Sequence, residues 1–92
     1  MMDTHAHLIV SGLVQGVGFR YFVMNQARRM KLTGWVKNLH TGEVEICVEG
    51  SRGLIESLIQ NLRVGNGWSR VNDIQIQWEK ITNQYTGFDI TY

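Results

Sequence analysis

The sequence predicts an α+β fold in which one antiparallel sheet carries two helices on a single face. Three observations support this. Apolar residues alternate at strand period in several short segments, two stretches between them repeat at helical period, and glycines mark the joins. A chain of 92 residues is expected to form one domain spanning 1–92, because a division would leave neither half enough interior to fold alone.

From Ala6 to Val10, Ala6, Leu8 and Val10 fall on one side of a strand and His7 and Ile9 on the other. Gly12, Gly16 and Gly18 then break any regular pattern and open backbone angles closed to other residues, so a shaped loop follows. Phe19, Phe22, Val23, Ala27 and Met30 recur at helical spacing, which predicts a helix from Phe19 or Arg20 to Lys31. Arg28, Arg29 and Lys31 near its end suit the helix dipole. After Gly34, Trp35 to Leu39 reads as a strand, and His40, Thr41 and Gly42 as a tight turn. Val44, Ile46 and Val48 then alternate with Glu43, Glu45, Cys47 and Glu49, so this hairpin's second strand has one apolar face and one mostly acidic face, expected to be exposed. Ser51 is a candidate N-cap for a second helix with a stripe of Leu54, Ile55, Leu58, Ile59 and Leu62, stopped by Gly65. A loop from Gly65 to Ser69 leads into a strand from Val71 to Glu79, and Phe88, Ile90 and Tyr92 form a short closing segment. The order βαββαβ, with a small terminal strand, is the ferredoxin-like split arrangement. Many functions share it, so function has to be read from a site.

Composition narrows the field. Nine Lys and Arg against eight Asp and Glu leave a net charge of +1, too little for a global field that gathers nucleic acid, so an anion site has to be built locally. Cys47 is the only cysteine, which excludes an intrachain disulfide, a thiolate metal cluster and a CxxC redox motif. Met1 to His7 do not read as a basic region followed by a long apolar run, no later apolar stretch reaches membrane length, and a cytoplasmic, membrane-free monomer is expected.

The segment Gly12 to Arg20 reads GLVQGVGFR and joins a strand to a helix. Such a loop can curl so that successive N–H groups converge, and the helix start adds unpaired donors and positive partial charge. Arg20 would add a planar, permanently charged fork; a cation placed there opposes the dipole, which points to an anion nearby. The alternative is a connecting turn with Arg20 in solvent. The segment is neither a nucleotide P-loop nor a GxGxxG turn.

GLVQGVGFR and GWVKNLHTGEVEICVEG, from Gly34 to Gly50, resemble the two signature stretches of the acylphosphatase family. Length, element order and the closing segment are also similar. The resemblance implies hydrolysis of acyl phosphates to a carboxylate and inorganic phosphate without cofactor or metal. It assigns phosphate binding to Arg20 and orientation of the attacking water to Asn38, and the loop Gln15, Gly16, Val17, Gly18 and Phe19 is expected to cradle the same phosphoryl group. Residue chemistry agrees: an Asn offers a donor and an acceptor without being a strong base, so it suits positioning water. The leaving carboxylate is good enough for positioning and charge stabilisation to dominate.

Other residues are assigned to structure. His5, His7 and His40 lack the carboxylate or cysteine partners of a metal site and are expected on the surface or packed on strands. Cys47, beside acids, is a poor nucleophile; Ser11 has no nameable base; Trp35, Trp78 and Phe22 are expected to pack. Two rival functions remain: a noncatalytic phosphate-binding or accessory domain using the same loop, and RNA recognition, which the acidic sheet face and the missing RNP-like run disfavour.

Overall fold

A computed structural model describes residues 2–92. Its elements are β1 (Asp3–Leu13), α1 (Phe19–Arg29), β2 (Thr33–Asn38), β3 (Val44–Ser51), α2 (Arg52–Val64), β4 (Arg70–Glu79) and β5 (Phe88–Ile90). The strands form one sheet in the order β4-β1-β3-β2-β5, antiparallel except where the short β5 runs parallel to β2. The expected ferredoxin-like order is therefore present, with β5 added at the edge.

Alternation sets the core. Ala6, Leu8, Val10, Val36, Val44, Ile46 and Val48 point to one face and are fully buried against Phe19, Val23 and Ala27 of α1 and Ile55, Leu58, Ile59 and Leu62 of α2. Both helices lie on that face. At about 25 cal/mol per Å² of buried apolar surface, this shared core is the main term holding helices to sheet. Leu54, expected on the α2 stripe, is instead exposed, because Ile55, Leu58, Ile59 and Leu62 already complete an i, i+3, i+4, i+7 face.

Several boundaries differ from the sequence reading for local reasons. β1 extends in both directions because β3 and β4 pair along it, from Asp3↔Ser51 to Leu13↔Arg70. α1 stops at Arg29 instead of Lys31: Lys31 adopts φ 56, and the N–H of Leu32 turns back to the Ala27 carbonyl at 2.9 Å. Two glycines are required by close approach. A Cβ on Gly12 would lie 2.1 Å from the Arg70 carbonyl oxygen, and one on Gly34 1.9 Å from that of Cys47.

The acidic face of β3 is not the exposed face expected. Residues 80–87 cross from β4 to β5 over it, and Glu49 is only 2% exposed. Its carboxylate accepts bonds from the Thr82 hydroxyl (2.6 Å), the Thr82 and Asn83 amides (2.9 and 3.0 Å) and His5 Nδ1 (2.7 Å). Burial alone would raise the Glu49 carboxyl; donation from Thr82, His5 and Asn83 outweighs it and holds the group below its usual range. Glu45 is likewise occupied, by His7 at 2.7 Å and Lys37 at 3.8 Å.

Candidate active site

The end of the sheet opposite Glu49 brings together the close of β1, the close of β2 and the start of β3. Between β1 and α1 the chain passes through Gly16 and Gly18, both left-handed at φ 74 and φ 75, and Gly18 is the N-cap of α1. Glycine takes these angles without the steric cost any other residue would meet. Among the described residues, the N–H groups of Gly16, Val17 and Gly18 donate to no backbone carbonyl, and the first N–H groups of α1 have no intrahelical acceptor by construction. Phe19 is buried, its ring 6.2 Å from that of Phe22, so it anchors the loop to the core and offers only its main chain outward.

Arg20 is the second residue of α1, whose first turn carries no acid. Its guanidinium lies 5.2 Å from the centre of the exposed Tyr92 ring. No carboxylate pairs with it among the described residues; the ion pairs belong to His5, His7, Arg28, Lys37 and Arg52. A permanent cation beside free N–H donors favours an anion there.

Asn38 ends β2, opposite Val44. Its Oδ1 is buried with no hydrogen-bond partner, the one such side-chain atom among the described residues. Gln15 ties this strand end to the loop: Nε2 donates at 2.8 Å to the carbonyls of both Leu39 and Glu43, the residues that close the hairpin turn. The Gln15 side chain is thereby spent on the turn, leaving its main chain to face the loop. Strand pairing of Val10 and Asn38 with Val44, together with the Gln15 amide, thus places Asn38 and the Gln15–Arg20 segment at one end of the sheet.

The remaining candidates lie elsewhere. His5 and His7 pair with Glu49 and Glu45 on the far face, and His40 is exposed on the hairpin turn. Burial, reinforced by Glu45, Glu79 and Glu49, pushes the Cys47 thiol up to about 11, so it stays protonated at neutral pH. No three His, Cys, Asp or Glu side chains converge as a metal-binding group among the described residues. A separate groove of about 560 Å³ between α2 and β4, lined by Gly53, Ser57, Ile76 and Trp78, holds none of the chemistry described above.

Sequence reading missed Asn66. Its Nδ2 donates to the Val17 carbonyl at 2.9 Å, and its Oδ1 accepts the N–H groups of Trp68 and Ser69 at 3.0 and 2.9 Å. The available signal was an Asn flanked by Gly65 and Gly67, which marks a side-chain-bonded turn but not its distant partner.

Fold and loop together define a class of small α+β sandwiches with a donor-rich glycine loop between the first strand and first helix. The family model described as Acylphosphatase matches residues 6–90. A protein of Moorella thermoacetica named acylphosphatase is 42% identical over 86 residues, covering 94% of this chain and 92% of that one. Another, from Roseiflexus sp., is 40% identical over 93 residues and covers 100% of both. The crystal structure of acylphosphatase from Bacillus subtilis superposes with a TM-score of 0.93 at 41% identity, covering 99% of this chain and 100% of that one. The chain belongs to the acylphosphatase family.

Proposed function

We propose that this chain hydrolyses acyl phosphates, with the loop Gln15–Phe19 and Arg20 holding the phosphoryl group and Asn38 holding the attacking water. The observation that carries the assignment is the buried, unpartnered Oδ1 of Asn38, tied beside the loop through Gln15. A buried acceptor without a partner costs about 1–3 kcal/mol, a cost that suits a group waiting for a donor. A water hydrogen supplies that donor.

The water oxygen attacks phosphorus, the bond from phosphorus to the acyl oxygen breaks, and the carboxylate departs with the bonding pair. The water's proton passes to a phosphoryl oxygen, since Asn38 is no base at neutral pH. Main-chain N–H groups from Gly16 to Phe19, the α1 N-terminus and the Arg20 fork stabilise the charge on the phosphoryl oxygens as it redistributes. Because Arg20 and the loop carry that charge, the mechanism needs neither metal nor cofactor. The same reading takes residues 1–92 as one domain acting as a cytoplasmic monomer. No helix among the described residues is long and apolar enough to cross a membrane.

Phosphate release from a simple acyl phosphate in the presence of EDTA tests the proposal, with inorganic phosphate expected to inhibit competitively. Loss of turnover on chelation, restored by a divalent ion, would overturn the metal-free mechanism. Phosphate binding without turnover would instead favour a noncatalytic accessory domain.

A further inference from the structure

Asn66 sits in the loop between α2 and β4, yet its side-chain amide reaches the Val17 carbonyl across 49 positions of sequence. The other side of the same amide is fully used: Oδ1 takes the Trp68 and Ser69 amides, while the Asn66 N–H donates to Ser69 Oγ at 3.3 Å. A side chain held this way has one orientation left for its Nδ2.

The consequence lies in the next peptide plane. A trans peptide is rigid, and its C=O and following N–H point in opposite directions. Drawing the Val17 carbonyl toward Asn66 therefore turns the Gly18 N–H to the opposite side of the chain. Gly18 is the N-cap of α1, sits at φ 75, and its N–H donates to no backbone carbonyl. Without a side chain to restrict it, that plane has wide freedom to rotate unless something outside the loop fixes it.

We propose that Asn66 is a positioning residue for phosphoryl binding: by holding the Val17 carbonyl, it aims the Gly18 N–H at the anion. The inference rests on reading the Gly16–Arg20 segment as the phosphoryl site. It identifies the α2–β4 loop as part of the binding apparatus without placing any of its side chains on substrate.

The competing explanation is that Asn66 only shapes its own loop. Asn66→Asp separates the two, because it keeps an acceptor for Trp68 and Ser69 and removes the donor to Val17. The full chain and its Asn66→Asp and Asn66→Ala variants are compared by phosphate inhibition constant, KM and kcat on an acyl phosphate, melting temperature, and the backbone amide signal of Gly18 during phosphate titration. Both variants are expected to weaken phosphate binding and raise KM by about fivefold to tenfold, the scale of one net hydrogen bond, with kcat within about twofold. The Gly18 amide response seen in the parent is lost. For Asn66→Asp the weakening persists, relative to the parent at the same salt, at about 0.5 M NaCl, where charge repulsion is largely screened.

Parental phosphate affinity in Asn66→Asp, or a loss that high salt abolishes, overturns the proposal and leaves a loop-shaping or purely electrostatic effect. A fall in melting temperature with KM and phosphate affinity unchanged overturns it as well. If phosphate fails to bind the parent or to move its Gly18 amide, the phosphoryl-site reading itself has failed, a result distinguishable from failure of Asn66 alone.

Discussion

The two ends of the sheet treat polar groups in opposite ways. At one end, Glu49 is buried and saturated by His5, Thr82 and Asn83. At the other, among the described residues, the Asn38 Oδ1 is buried without a donor, the loop amides donate to no carbonyl, and Arg20 has no carboxylate. Folding can satisfy its polar groups in this chain, since it does so completely around Glu49. The unsatisfied set at the far end therefore reads as a site kept open, in keeping with the rarity of such groups elsewhere in folded proteins. Substitutions at the saturated end should cost stability and spare activity, whereas those at the open end should do the reverse.

The largest expected effect is at Arg20. Arg20→Ala should lower kcat/KM by about 10³-fold or more and weaken phosphate binding with it, because charge and bidentate donors disappear together. Arg20→Lys should recover little, since an ammonium cannot reproduce the fork. Calorimetric titration with phosphate alongside steady-state kinetics checks both, and normal phosphate affinity in Arg20→Ala would remove this residue from the site. Next comes Asn38→Ala, expected to reduce kcat by about 10²-fold while phosphate affinity stays near that of the parent. A parental turnover rate would refute the water-positioning role. Its folded state should be unimpaired, because the change deletes an acceptor that has no partner.

At the other end, Glu49→Gln should cost about 2–3 kcal/mol at neutral pH, measured by denaturant unfolding, with kcat within about twofold of the parent. A variant as stable as the parent would mean that the saturated cluster contributes nothing. The smallest effect is the pH dependence of that difference. The folded Glu49 carboxyl lies below its ordinary value of 4.5, so its contribution is complete above that pH and lost as pH falls through the folded value. The stability gap between parent and Glu49→Gln should therefore narrow as pH falls below about 4.5. A gap that widened as pH fell below about 4.5 would contradict the depressed carboxyl.

What was legible in the sequence divides along the same physical line. Alternation identified the buried faces of β1 and β3, and glycine spacing identified the loop, because both are local properties of consecutive residues. Alternation assigns the acidic face of β3 to solvent, because it says which face a residue occupies and not whether that face is covered. The crossing segment at Thr82 and Asn83 covers it, joined to Glu49 across 33 and 34 positions. The motif places Gln15 in the loop, but does not show that its side chain reaches Leu39 and Glu43. Asn66 was invisible as a brace for the same reason. Side-chain bonds between distant segments leave no periodic mark.

The open end is assembled from segments distant in sequence: Gln15 meets the hairpin turn across 24 and 28 positions, and Val17 meets Asn66 across 49. Pairing of β1 with β4 reaches further still, joining His5 to Glu79. Contacts at such separations make for slow folding, and a partly folded chain that lacks β4 has no complete loop. On the proposed phosphoryl site, phosphate would bind the finished molecule alone, so inorganic phosphate above its dissociation constant is expected to draw the folding equilibrium toward the native state, by about 1.4 kcal/mol at tenfold excess. A rise in melting temperature with added phosphate would then show that the ion released by hydrolysis also guards the fold.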